Sequence, residues 1–168
     1  MIPANRSDDN EYEEIKGDHI DCGHARCVFE IKENSDFVLK EAKPGMCSHN
    51  ENEALFYFMS VEQNLTAVTD CIAEVRSISK SGKFLIMERL CMQLDANLKS
   101  EAKVPVEIND PHSGNYGMTP DGKTIKCIDY GSYTMQEVSG EVKPVPFQSE
   151  QSINEMSKVN NDVKKLWE

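Results

Sequence analysis

The chain lacks any apolar run that approaches the length of a membrane-spanning helix, so no membrane partner is expected. Its first residues, Met1 to Glu14, are polar and acidic and are not expected to act as a secretory signal. Positive charge is scarce: 18 Lys and Arg face 29 Asp and Glu, a net charge of −11. Binding to nucleic-acid phosphates needs basic patches, so direct nucleic-acid contact is not expected, whereas a basic protein partner is permitted. An acidic mimic of DNA would spread carboxylates along its helices. Here they concentrate at Asp8, Asp9, Glu11, Glu13 and Glu14 and are otherwise mixed with lysine. There is no internal repeat and no low-complexity tract. The six cysteines show no paired spacing, and they are expected as reduced thiols in a cytoplasmic protein.

What is present suffices for a core. The 168 residues, 39% of them hydrophobic, make one domain or two small lobes around a cleft. Residues 1–14 read as a flexible acidic tail. Residues 15–42 read as strands, with alternation at Cys27-Val28-Phe29-Glu30-Ile31 and a turn before Phe37-Val38-Leu39-Lys40. A helix is predicted from Asn50 to Leu65, capped by Asn50 and burying Leu55, Phe58 and Met59. Residues 66–79 are ambiguous. Phe84-Leu85-Ile86-Met87 reads as a buried strand and 91–103 as a short helix. Two short strands flank the turn Pro120-Asp121-Gly122, Pro144-Val145-Pro146 reads as an extended linker, and 149–167 as a closing helix.

Chemistry concentrates around that turn. Asp110-Pro111-His112-Ser113-Gly114-Asn115 places an Asp and an Asn five positions apart, and Asp129-Tyr130-Gly131 brings a second Asp fourteen positions on. Phosphoryl transfer needs a carboxylate at the attacking hydroxyl and oxygen ligands for magnesium. The set resembles the catalytic centre of the protein-kinase-like superfamily. Its Asp-x-His-x-Gly-Asn form is similar to the bacterial and bacteriophage branch, which includes aminoglycoside kinases and podovirus early protein kinases.

The resemblance covers roughly residues 15–134 and implies an α+β, minimal protein-kinase-like fold. A small antiparallel-sheet lobe with one helix would occupy residues 15–90. A reduced C-terminal lobe, 91–168, would carry the catalytic hairpin and a terminal helix. By the same resemblance Asp110 orients or deprotonates the acceptor hydroxyl, and Asn115 and Asp129 hold Mg2+. Lys40 neutralises ATP phosphates, with Glu53 as its orienter and Glu51 as the competitor. His112 supports the catalytic loop by hydrogen bonding. Gly23 and Val28 belong to the phosphate-covering loop and its strand, and backbone groups from Glu88 to Leu90 read the adenine.

Three departures from the family pattern stand out. Aligning Val28 puts Asp21, Gly23 and Arg26 where three glycines would stand, and a β-carbon restricts backbone approach to a phosphate. Arg26 either substitutes a charged side chain for the backbone amides or points to solvent. Only 22 residues separate Glu88 from Asp110, and 39 follow Asp129, so the second lobe is expected to be short. Ile108 and Asn109 stand where the family usually has His and, in regulated kinases, Arg.

The expected function is an ATP- and magnesium-dependent protein Ser/Thr kinase, phage-encoded and acting on host proteins. A pseudokinase-type binding module or host-factor inhibitor is the first alternative, and a small-molecule kinase the second. Separately, His19, Cys22, His24 and Cys27 form a compressed zinc-type set, disfavoured because strand alternation would send Cys27 away from its neighbours. Cys71 and Cys127 read as small core residues. Self-phosphorylation is expected on Ser132, Tyr133 or Thr134, or on Ser7 in the tail, with little effect on rate because Asn109 offers no cation. Mass spectrometry after incubation with ATP checks this, with Asp110→Ala remaining unmodified.

Overall fold

The computed structural model describes residues 1–109, 112–131 and 137–147. The described chain is α+β. Helix α1 (Asp9–Ile15) leads into three consecutive strands, β1 (Lys16–Cys22), β2 (Arg26–Ile31) and β3 (Asn34–Ala42). Helix α2 (Cys47–Glu62) and the short α3 (Thr66–Thr69) follow, then β4 (Val75–Ile78) and β5 (Phe84–Glu88). These strands make one antiparallel sheet in the order β1-β2-β3-β5-β4. Beyond it lie a short helix α4 (Ala96–Lys99) and β6 (Lys103–Pro105). The hairpin β7 (Tyr116–Met118) and β8 (Ile125–Cys127) comes next, then β9 (Val142–Pro144), which pairs with β6.

Alternation along the strands sorts two cores. Leu39, Phe84 and Ile86 face one side with Ile31. Leu85, Met87 and the half-buried Val38 face the other, where α2 packs with the hairpin and β6. Lys40 lies between these registers: it pairs with Val28 across the sheet and faces α2. Arg26, two positions before Val28, faces the same way and is buried.

Residues 1–14, expected as a flexible tail, are folded onto the first core. Tyr12 has no exposed surface and stacks on Phe84 at 6.1 Å between ring centroids. Its hydroxyl donates to the Ala4 carbonyl at 3.1 Å. The Arg6 amide donates to the Ile78 carbonyl at 2.8 Å, and the Lys80 amide to that of Ser7 at 2.9 Å. Acid content suggested a tail, but Ile2, Tyr12 and Ile15 supply the apolar face that covers the sheet. Ser7 is thereby held by its backbone.

The α2 expectation also needs correction. Asn50 lies inside the helix, and its side-chain amide donates to the Gly82 and Lys83 carbonyls at 3.0 and 2.9 Å. The buried stripe is Asn50, Glu53, Ala54, Phe56 and Ser60, while Leu55 is 49% exposed. Burial here follows hydrogen-bond satisfaction as much as hydropathy. The predicted helix over 91–103 shrinks to four residues, and Pro144 ends a strand where an extended linker was expected. The closing helix over 149–167 lies outside the described residues. No described helix is long and apolar enough to cross a membrane.

Replacing Tyr12 with Ala opens a cavity beneath Phe84 and should cost about 3 kcal/mol or more. Denaturant unfolding measures this; a change under half a kilocalorie, roughly that of a surface substitution, would return residues 1–14 to a tail.

Candidate functional site

Glu53 sits on α2 with no exposed surface, and three segments converge on it. From β3, Lys40 Nζ donates to Oε2 at 3.0 Å and to Oε1 at 3.2 Å. From β2, the Arg26 guanidinium takes both oxygens as a fork, at 2.6 and 2.9 Å. From the segment after β8, the Tyr130 backbone N–H donates to Oε1 at 3.0 Å. Lys40 also donates to the Ile128 carbonyl. Of the two carboxylates left open by the sequence, Glu53 is the one in contact with Lys40. Glu51 is exposed and lies against Gly82.

Asp129 lies one residue past that carbonyl. Its Oδ1 accepts from Arg26 Nη2 at 2.6 Å, while its side chain remains 44% exposed. Arg26 therefore bridges the two carboxylates, and two cations and two anions share one partly buried cluster. The sequence left Arg26 open between the site and solvent. Its two-residue offset from Val28, the cross-strand partner of Lys40, is the signal that places it on the Lys40 face.

Burial pushes the Glu53 carboxyl up, but the Arg26 and Lys40 charges outweigh it and hold it at about 2. Burial and the Arg26 charge push the Lys40 ammonium below its ordinary value, against the pull of Glu53 and Asp129. Burial likewise lowers Arg26, but Glu53 and Asp129 raise it overall. The carboxylates thus keep Arg26 charged, while Lys40 is the cation that burial disfavours.

The hairpin positions the remaining residues. The Ile128 N–H donates to the Asn115 carbonyl at 2.8 Å, so the turn bearing Asn115 lies beside the residue that precedes Asp129. The Gly114 N–H donates to His112 Nδ1 at 3.1 Å, capping the turn Ser113–Asn115. Gly122, at φ +71°, closes the far end. Asp110 and Ser132, Tyr133 and Thr134 lie outside the described residues.

The Asp129-Tyr130-Gly131 turn is docked tightly. Tyr130 is fully buried and its hydroxyl donates to the Ala73 carbonyl at 2.7 Å. The Gly131 carbonyl accepts from Asn52 at 3.1 Å, and a β-carbon at Gly131 would lie 2.1 Å from the His49 carbonyl oxygen. Only glycine fits there. Gly23, by contrast, would bring a β-carbon no nearer than 3.7 Å to its neighbour.

Residues Glu88–Leu90 leave β5 toward the hairpin. Glu88 accepts from Lys126 at 2.8 Å, and its backbone N–H donates to the Glu74 carbonyl. The Arg89 N–H is taken by Asp36 and that of Cys91 by Met118. The Leu90 N–H has no backbone acceptor among the described residues, and the Leu90 side chain rests on Gly117. A cleft of about 600 Å³ opens beside this stretch, lined in part by Phe37, Glu88, Leu90 and Cys91.

The cysteines depart from expectation. Cys22 and Cys27 are direct cross-strand partners in β1 and β2 and form a disulfide. Their five-residue separation spans a hairpin turn, so the antiparallel register sets them directly opposite each other, which along-strand alternation alone did not reveal. Cys71 and Cys127 are buried free thiols, as expected.

Set against known families and curated proteins, the chain matches no family model and no curated protein.

Glu53→Gln removes the charge that holds Arg26 and Lys40, and breaking such a buried pair should cost about 3–5 kcal/mol. At roughly 2–4 °C per kcal/mol, the melting temperature should fall on the order of 10 °C. The wild-type pH dependence has a fixed sign. Glu53 is lowered from 4.5 to about 2, so its contribution is complete above about 4.5 and is lost as pH falls toward 2. In acid titrations followed by melting temperature, Glu53→Gln should show a shallower loss over that window. Equal slopes would mean that Glu53 does not carry the coupling.

Proposed function

We propose that the chain is an ATP- and magnesium-dependent phosphotransferase of minimal kinase-like architecture, acting on protein Ser/Thr. The observation that carries this reading is the contact of Lys40 with Glu53 on α2, closed by the backbone of the Asp129-Tyr130-Gly131 turn. These groups come from three segments, and the ordered motif set required them to meet. The antiparallel sheet with α2 packed on one face fits the same reading, although α1 and the short α3 add to the one helix expected.

The residues fit the nucleotide and the metal with one exchange. Asp129 and Asn115 offer oxygen ligands, which magnesium prefers. The Leu90 N–H, which has no backbone acceptor among the described residues, fits the expected adenine contact, and Val28 lies on the Lys40 face of the sheet. Arg26 is the complication, since its guanidinium already engages Asp129. For Asp129 to ligate a metal, Arg26 must release it. Guanidinium pairs with phosphate as readily as with carboxylate, so a phosphate group supplies the replacement partner.

When bound, Mg·ATP supplies the transferable phosphoryl group and the divalent charge that stabilises it. The chain's own residues then have separate tasks. Lys40 and Arg26 offset phosphate charge, and Glu53 fixes both cations. Asn115 and Asp129 hold the metal, His112 shapes the loop before Asn115, and Asp110 orients or deprotonates the acceptor hydroxyl.

The Arg26–Asp129 ion pair favours a second reading, a pseudokinase-type module that keeps the fold for binding a host protein. In that case the guanidinium permanently fills the place of the nucleotide phosphates. The two readings separate on one titration. Millimolar Mg·ATP should raise the melting temperature by mass action, and Asp129→Asn should abolish transfer of labelled γ-phosphate while the chain stays folded, since Glu53 still holds Arg26. Absence of both a thermal shift and a calorimetric signal would select the binding module. Transfer within a few-fold of wild type in Asp129→Asn would remove Asp129 from the metal site.

A further inference from the structure

The tip of the β1–β2 hairpin carries a second cluster, on the opposite face of β2 from Arg26. His19, Cys22 and Cys27 bring an imidazole nitrogen and two sulfurs within 4.8 Å of one another. His19 Nε2 lies 3.4 Å from Cys22 Sγ. Plain alternation would put residues 19 and 22 on opposite faces, because three is an odd offset. A β-bulge between His19 and Asp21 shifts the register, so His19 pairs with Phe29 and Asp21 with Val28. The bulge re-aims the imidazole toward the sulfurs, a known use of bulges next to functional sites. Phe29 holds the ring edge-on at 5.4 Å between centroids.

We propose that, with Cys22 and Cys27 reduced, this hairpin tip binds a zinc ion through His19 Nε2 and the two thiolates. Zinc takes sulfur at about 2.3 Å and imidazole nitrogen at about 2.0–2.1 Å, so tetrahedral neighbours stand roughly 3.4–3.8 Å apart. The His19–Cys22 separation already meets that spacing. The fourth position is open to water. His19 and Cys22 are exposed, so the ion has a path in. Acidic Asp18 and Asp21 lie in the same strand, and the Asp21 carboxylate accepts from the Cys22 N–H at 2.8 Å.

The disulfide and the metal are alternative closures of the same hairpin. A phosphine reductant gives two electrons to the S–S bond and, taking oxygen from water, leaves as its oxide; two thiols remain. Each thiol surrenders its proton on binding zinc. Either closure pins Cys22 to Cys27, and Arg26 is the next residue. The site is independent of the phosphotransferase reading, and its test uses no nucleotide.

The test is cobalt and zinc titration of the full chain in phosphine reductant. Cys47→Ser and Cys91→Ser are introduced first, since these are the free thiols that are not buried. One equivalent of cobalt should give thiolate-to-metal charge transfer with the intense visible bands of a tetrahedral ion, and zinc should bleach them. Zinc should also raise the melting temperature of the reduced chain. Cys22→Ser should diminish the charge-transfer band. His19 is exposed, so His19→Ala leaves the fold intact and should weaken zinc binding about tenfold or more, as measured against a chromophoric chelator. The proposal is overturned if cobalt gives no charge transfer at one equivalent, or if the band and zinc affinity are unchanged in His19→Ala.

Discussion

A carboxylate removed from water is costly unless every lone pair it presents finds a donor, and the rest of this structure answers to that constraint at Glu53. Its two oxygens receive five hydrogen bonds, from Arg26, Lys40 and the Tyr130 backbone. Those donors come from β2, β3 and the segment after β8. One buried charge therefore joins the sheet, α2 and the hairpin, and no neighbouring element can slide without stranding an ion. The polar stripe of α2 follows from this. Asn50, three residues before Glu53, ties the same helix face to the β4–β5 turn through Gly82 and Lys83.

The tightness is not uniform. Glu53 has no exposed surface, Arg26 and Lys40 have little, and Asp129 has much more. Asp129 is thus the member whose exchange of partner costs least. The glycines follow the same division. Gly131 and Gly117 are sterically required where the hairpin meets α2 and Leu90, whereas Gly23 is not required by its surroundings. Close backbone approach is thus required beneath the cluster and not at the β1–β2 turn, where Arg26 instead reaches Glu53 and Asp129 through its side chain.

Much of the sheet was legible because alternation is a local signal: Cys27–Ile31, Phe37–Lys40 and Phe84–Met87 all lie in strands. The spacing of Lys40, Glu53 and Asp129 could be read only through the family pattern, and the first two are in contact. Other features were hidden for stated reasons. The buried face of α2 carries Asn50, Glu53 and Ser60, so hydropathy pointed at Leu55 instead. Tyr12 is a lone aromatic among acids, and composition outvoted it. Cys22 and Cys27 looked unpaired because a five-residue gap acquires meaning only once a hairpin turn lies inside it. The bulge that turns His19 toward them leaves no mark in the sequence.

Charge balance governs the cleft. Two cations and two anions make the Glu53 cluster neutral, so it is stable without a ligand. A phosphate-bearing ligand adds negative charge and draws Arg26 and Lys40, while a divalent cation adds positive charge and draws Asp129. Either alone disturbs the cluster more than the two together, because the divalent cation offsets part of the phosphate charge. That is the physical ground for expecting metal and nucleotide to bind as a pair under the phosphotransferase reading, and for expecting each to bind weakly without the other. Glu53 stays fixed throughout, because its charge orders Arg26 and Lys40 in either state.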